Sequence, residues 1–126
     1  MIKQEDLYCT IGQANKIKSL GVKQQAIYMT QDSTAVFTSV ELGTMLPPTI
    51  QPDNELYYLE EWRYTHDGEE RHAIAYKGWV DRKRTPYNDK CCFGKTEAQA
   101  RASLLIYLLE NRVLSIDIIN DRLLAA

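Results

Sequence analysis

Asp67-Gly68 lies between two runs of alternating side chains, Leu56 to Tyr64 and Arg71 to Val80, and this arrangement narrows the possible folds sharply. Asp-Gly is a preferred pair in two-residue type I′ turns, because both positions need φ > 0. The turn also sets the register: Tyr64 faces Arg71, Trp62 faces Ala73 and Glu60 faces Ala75. One face of the hairpin then carries Tyr58, Glu60, Trp62 and Tyr64 across small alanines. The other carries Leu59, Glu61 and Arg63 beside His72, Ile74 and Tyr76. Large side chains pack well against small ones on a sheet, so Trp62 is expected in the core rather than on a ligand platform.

Helix signals surround this hairpin. Thr10 to Gln13, Thr38 to Glu41 and Thr96 to Gln99 each have the spacing of a capping box, in which a threonine hydroxyl and a Glu or Gln side chain satisfy free backbone N–H groups. The first predicted helix carries Ile17 and Leu20 and stops at Gly21, where Val22 can fold back on Ile17. The second is short and must end before Pro47-Pro48. The third lines Ala98, Ala102, Leu105 and Leu109 along one face, with Leu104 and Leu108 beside them, and stops near Asn111. Ser115 caps a fourth, with Leu114 placed to staple onto Ile119 and Asp117 complementing the helix dipole. A second hairpin is expected from Ala26–Thr30 and Ala35–Thr38, turning at Gln31 to Thr34. Thr49 to Asn54 reads as a loop, Asp81 to Lys90 as an exposed loop or edge, and Cys91 to Gly94 as a short strand. Hairpins segregated from helices argue for one α+β domain over 1–126, its antiparallel sheet built from two hairpins and packed on one face by the C-terminal helices.

Composition excludes several classes. The 126 residues suit one domain, and 44% hydrophobic with 25% charged residues is ordinary for a globular chain. A formal charge of -2 gives no overall attraction to nucleic acid or anionic membrane. No apolar run approaches the ~20 residues of a membrane span, and the N-terminus lacks the apolar core of a secretory signal. Cys9, Cys91 and Cys92 are too few, and oddly numbered, for a disulfide framework, so a reducing cytoplasm is the expected compartment.

The helix ending in Leu20-Gly21, the following hairpin, the helix ending in Leu46-Pro47 and the phrase Tyr107-Leu108-Leu109-Glu110-Asn111 carry a resemblance. The chain resembles a family of small proteins of phages and prophage-like elements, common in gut Bacteroidetes and Firmicutes, for which no activity is established. The likeness spans about two thirds of the chain. Arg112 departs from it, standing where a glycine often follows the asparagine. The resemblance implies a mobile-element accessory protein working inside a bacterial cell, and transfers no catalytic residue.

Candidate chemistry is sparse. Gly94-Lys95-Thr96 opens a helix as the end of a phosphate loop does, but Asp89 stands where such a loop needs another glycine. Lys95 and the Thr96 helix start remain candidates for binding an anion. Residues 77–90 hold Lys77, Arg82, Lys83, Arg84 and Lys90 against Asp81 and Asp89, a net charge of +3, with Trp79 and Tyr87 interleaved. That mixture suits single-stranded nucleic acid or a nucleotide. Residues 51–70 carry a net charge of -6 and can neutralise it. Glu60, on an aromatic face, needs a partner, for which Lys77 is the diagonal candidate, and it is the first residue to suspect in any pocket. His66 and His72 lack zinc-site spacing, and no metal or cofactor is expected.

The first expectation is therefore a non-catalytic phage or mobile-element protein acting through protein contacts, with homo-oligomerisation open. The alternative is a module capturing a nucleotide, signalling dinucleotide or single-stranded nucleic acid. Its candidate residues are Trp79, Arg82, Lys83, Arg84, Lys95, Thr96 and Glu60.

Overall fold

The computed structural model describes residues 7–125. Residues 1–6, part of the stretch read as lacking a secretory signal, lie outside the described residues. The described residues form the α-helices α1 (Ile11–Ser19), α2 (Ser39–Met45), α3 (Glu97–Glu110) and α4 (Ile116–Ala125). Strands β1 (Tyr28–Met29) and β2 (Ala35–Val36) form a two-stranded sheet. A five-stranded antiparallel sheet runs β3 (Thr49–Ile50), β4 (Tyr57–His66), β5 (Glu69–Val80) and β6 (Lys83–Pro86), with β7 (Cys92–Gly94) also on β5. The protein is thus α+β, with helices packed on one face of the larger sheet. The first hairpin forms a sheet of its own and does not join the long one.

The long hairpin has the register read from Asp67-Gly68: Glu60 pairs Ala75, Trp62 pairs Ala73 and Tyr64 pairs Arg71. Asp67 and Gly68 have φ of 52° and 78°, as a type I′ turn requires. Thr10 and Thr38 each close a complete capping box. At α3 the Thr96 hydroxyl accepts from the Gln99 N–H at 3.1 Å, but the Gln99 side chain turns one residue further, to the Lys95 N–H at 3.2 Å. The Ser115 hydroxyl accepts from the Ile118 N–H at 3.3 Å. The α3 stop replaces glycine with Arg112 at φ 54°. The Arg112 N–H donates to Leu109 O at 3.3 Å and the Val113 N–H to Leu108 O at 2.9 Å, so the usual glycine-terminated pattern is completed by an arginine.

Helix α3 lies against β5 and β7, α1 and α2 pack on α3, and α4 packs on α2. The core joins Tyr57, Ile74, Tyr76 and Cys92 of the sheet to Ile17, Leu42, Met45, Leu105, Leu108 and Ile119 of the helices. Tyr76, fully inside, donates its hydroxyl to Pro47 O at 2.7 Å. Strand β3 lies in the stretch expected as a loop, and β6 forms the sheet edge within the stretch expected as an exposed loop or edge. Thr49–Ile50 pairs Tyr57 and Tyr58, and Lys83–Pro86 pairs β5 through a two-residue turn at Asp81-Arg82. Both turn residues have positive φ, 50° and 68°, without a glycine to announce it.

Candidate functional site

Strand parity divides the sheet. Tyr57, Leu59, Ile74 and Tyr76 belong to the helix-side core. Tyr58, Glu60, Trp62 and Tyr64 of β4 therefore point to the other face, with Ala73, Ala75, Lys77 and Trp79 of β5. Pairing places Arg84 beside Trp79 and Phe93 beside Ala73 on that same face. Trp62 is accordingly not in the helix-side core. It lies half-buried on the open face, with the Lys77 ammonium 4.0 Å from its ring centroid.

This open face is an aromatic layer. Ala73 and Ala75 are buried yet stand outside the helix-side core, so the large side chains flanking them across the strands are what cover them. Tyr64 and Phe93 meet edge-to-face with centroids 5.8 Å apart. Trp79, Phe93 and Tyr58 keep 66%, 53% and 47% of their surface exposed. Among the described residues no helix packs on this side.

Two acids of the face are paired with its arginines. Glu60 takes Arg84 as its ion-pair partner, not Lys77, and Arg84 also stands 5.6 Å from the Trp79 ring. Arg71 pairs with Glu69 at 2.7 Å. Cation–π and ion-pair contacts thus brace the aromatic rings, and of the three bases on the face only Lys77 has no carboxylate among the described residues.

The predicted binding residues divide between regions. Glu60, Trp79 and Arg84 come together on the open face. Arg82 sits at the turn tip, and Lys83, opposite Val80, has the parity of the helix side. Lys95 and Thr96 follow β7, whose Gly94 pairs with His72, about 23 Å along β5 from Trp79 at ~3.3 Å per residue. They border a groove of about 800 Å³. Leu7, Ile27, Tyr28 and Val40 give it an apolar lining, and Arg63 and His72 enter from the hairpin. Gly94 serves close packing, since a Cβ there would stand 2.6 Å from the Ala100 nitrogen.

Below the groove, Arg101 ties three elements together. Its guanidinium donates to both Glu61 carboxylate oxygens at 2.6 and 3.0 Å and to Ser39 O at 2.7 Å. The Glu61 hydrogen bonds hold the guanidinium pKa above its ordinary value. Burial pushes the Cys9 and Cys92 thiols up to about 11. Burial thus disfavours the thiolate form that a cysteine nucleophile needs.

Sequence reasoning missed Tyr58 and Phe93 as exposed members of the face. The available signal was the partner strand: Ile74 and Tyr76 outweigh Ala73 and Ala75 as core formers, and that contrast selects the buried side. Among the described residues no helix is long and apolar enough to cross a membrane. No family model, curated protein or solved structure matches the chain.

Proposed function

We propose that this chain is a non-catalytic accessory protein of a phage or prophage-like element, acting in the bacterial host cytoplasm through protein–protein contacts made by the open sheet face. The observation carrying this reading is the exposure of Trp79, Phe93 and Tyr58 on one face of the sheet. Trp, Tyr and Arg dominate the energetic centres of protein interfaces, where rigid rings bury large areas at small entropic cost. The matched pairs Glu60–Arg84 and Glu69–Arg71 favour a protein surface over a polyanion, which needs cations free to replace counterions. The phage assignment rests on the resemblance of the helix-end motifs alone.

Photo-crosslinking tests the surface. With p-benzoylphenylalanine replacing Phe93 or Tyr58, protein adducts are expected in host cells. The same probe at Leu124, exposed on α4, should give few. Absence of protein adducts from both open-face positions, or adducts sensitive only to nuclease, would reject the reading.

A second reading is favoured by one observation: Lys95 and Thr96 border the apolar groove. A nucleotide could set its base against Tyr28 and its phosphate toward Lys95, at the start of α3. Titration with fluorescent nucleotides decides it. Binding that Lys95→Ala weakens supports capture, and no binding at millimolar nucleotide ends it.

A further inference from the structure

We propose that the partner on the open sheet face is a second copy of this chain, the two sheets packing face to face about a two-fold axis. This inference rests on the reading of that face as the contact surface and adds the identity of its occupant.

Self-complementarity is the first argument. In a two-fold interface the same patch meets itself, so a face of one sign would repel its copy. Here Arg71, Lys77 and Arg84 stand with Glu60 and Glu69, acids and bases interleaved among aromatic rings. Because Glu60 is paired with Arg84 and Glu69 with Arg71 inside each copy, two such faces can approach with little like-charge repulsion while the rings pack between them. A partner of strongly acidic or strongly basic character would leave half of these charges unmatched.

Size is the second argument. The 31 residues of β3 to β7, each taking ~3.3 Å along its strand and ~4.8 Å across the sheet, give a planar footprint on the order of 500 Å². Protruding rings raise the accessible area toward the ~800 Å² per partner of a stable complex. The sheet is wide enough to bury Trp79, Phe93 and Tyr58 together, and sheets stacked in this way lie about 10 Å apart.

The test is sedimentation velocity of the full chain from low micromolar to a few hundred micromolar. A concentration-dependent dimer is expected. Trp79→Ala/Phe93→Ala should weaken it by about 30-fold or more, as loss of central aromatic anchors does. Both rings are more than half exposed, so the variant keeps its fold, and circular dichroism checks this. Glu60→Arg sets two cations side by side in both copies and should also dissociate the dimer. Adding Arg84→Glu restores the pairing and should restore the dimer.

A wild-type chain that stays monomeric, or a dimer indifferent to all these variants, overturns the inference. The crosslinking experiment separates the two claims. Adducts from position 93 to other proteins, with a monomeric wild type, reject the second copy and keep the docking face. No adducts from either open-face position reject both. A shift in sedimentation only on adding oligonucleotide also overturns the second copy, in favour of a nucleic-acid ligand.

Discussion

Gly43 offers a test in which two physical effects oppose each other. It lies within α2, where alanine is preferred over glycine by about 1 kcal/mol on helix propensity alone. A Cβ at position 43, however, would stand 2.8 Å from Arg101 Nη1 and 3.2 Å from its Cζ. That guanidinium cannot slide freely, being held by Glu61 on one side and by Ser39 O on the other. Displacing Nη1 by about half an ångström stretches its bonds to Ser39 and Glu97, each a hydrogen bond to a charged group worth ~1.5–3 kcal/mol. Arg101 is 18% exposed but Glu61 is 34% and Glu97 49%, so solvent screening reduces the loss to about 2 kcal/mol in total. Gly43→Ala should therefore destabilise by about 1 kcal/mol net, a fall in Tm of roughly 4 °C for a chain of this size. In an Arg101→Ala background the collision is gone, and the same substitution should stabilise by about 1 kcal/mol. Urea denaturation of the four members of this cycle measures the coupling, expected near 2 kcal/mol. An alanine that stabilises the wild type, or that shifts both backgrounds alike, refutes the reasoning.

Other outcomes are checked more simply. Arg112→Gly relieves a left-handed residue at the α3 stop and should raise stability by about 0.5–1 kcal/mol in the same denaturation assay, and a loss would refute the proposed helix stop. Iodoacetamide at neutral pH should label Cys91 in the native protein and spare Cys9 and Cys92, which are buried and react only after unfolding, as mass spectrometry would show. Stability should also fall at alkaline pH. Burial raises the Cys9 and Cys92 thiols from 9.0 to about 11, so the folded state retains protons that the unfolded state releases, and their contribution, complete below pH 9, is lost between about pH 9 and 11. Cys92→Ala should flatten that limb in thermal melts, and an unchanged pH profile would exclude the cause.

The elements legible in the sequence were those whose signal is local. Thr10, Thr38 and Thr96 announced helix starts because a cap needs one hydroxyl at one spacing, and Asp67-Gly68 announced a turn and with it the register of nine residue pairs. Strands β3 and β6 lacked such a signal. Thr49–Ile50 follows two prolines and is only two residues long, and Asp81-Arg82 makes its turn without the glycine that marks Asp67-Gly68. The orientation of the long hairpin was the costlier error. Both faces of β4 mix aromatics with charge, so its alternation alone did not choose a side. The choice lay in Ile74, Tyr76 and Cys92, which a second element had to cover, and α3 covers them. The partner of Glu60 was missed for the same reason, since Arg84 reaches it only once β6 is a strand.

The basic segment shows why charge counted along a chain is not charge presented to a ligand. Arg82, Lys83 and Arg84 are adjacent in sequence, but the turn and the two-residue period of β6 send them in different directions, and Arg84 is then taken up by Glu60. The open face keeps its aromatic platform, with Arg71 and Arg84 held by carboxylates and Lys77 held over Trp62. If this balance is what directs the face toward protein, removing one acid should shift it. Glu60→Gln leaves Arg84 without its carboxylate and raises the net charge of the face. Fluorescence anisotropy with oligothymidylate should then show binding absent from the wild type, with a salt slope near the ~0.7 expected for one phosphate contact on single-stranded nucleic acid. Equal oligonucleotide binding by wild type and variant would mean that the Glu60–Arg84 pair does not set the preference, and the argument from matched charges would fall with it.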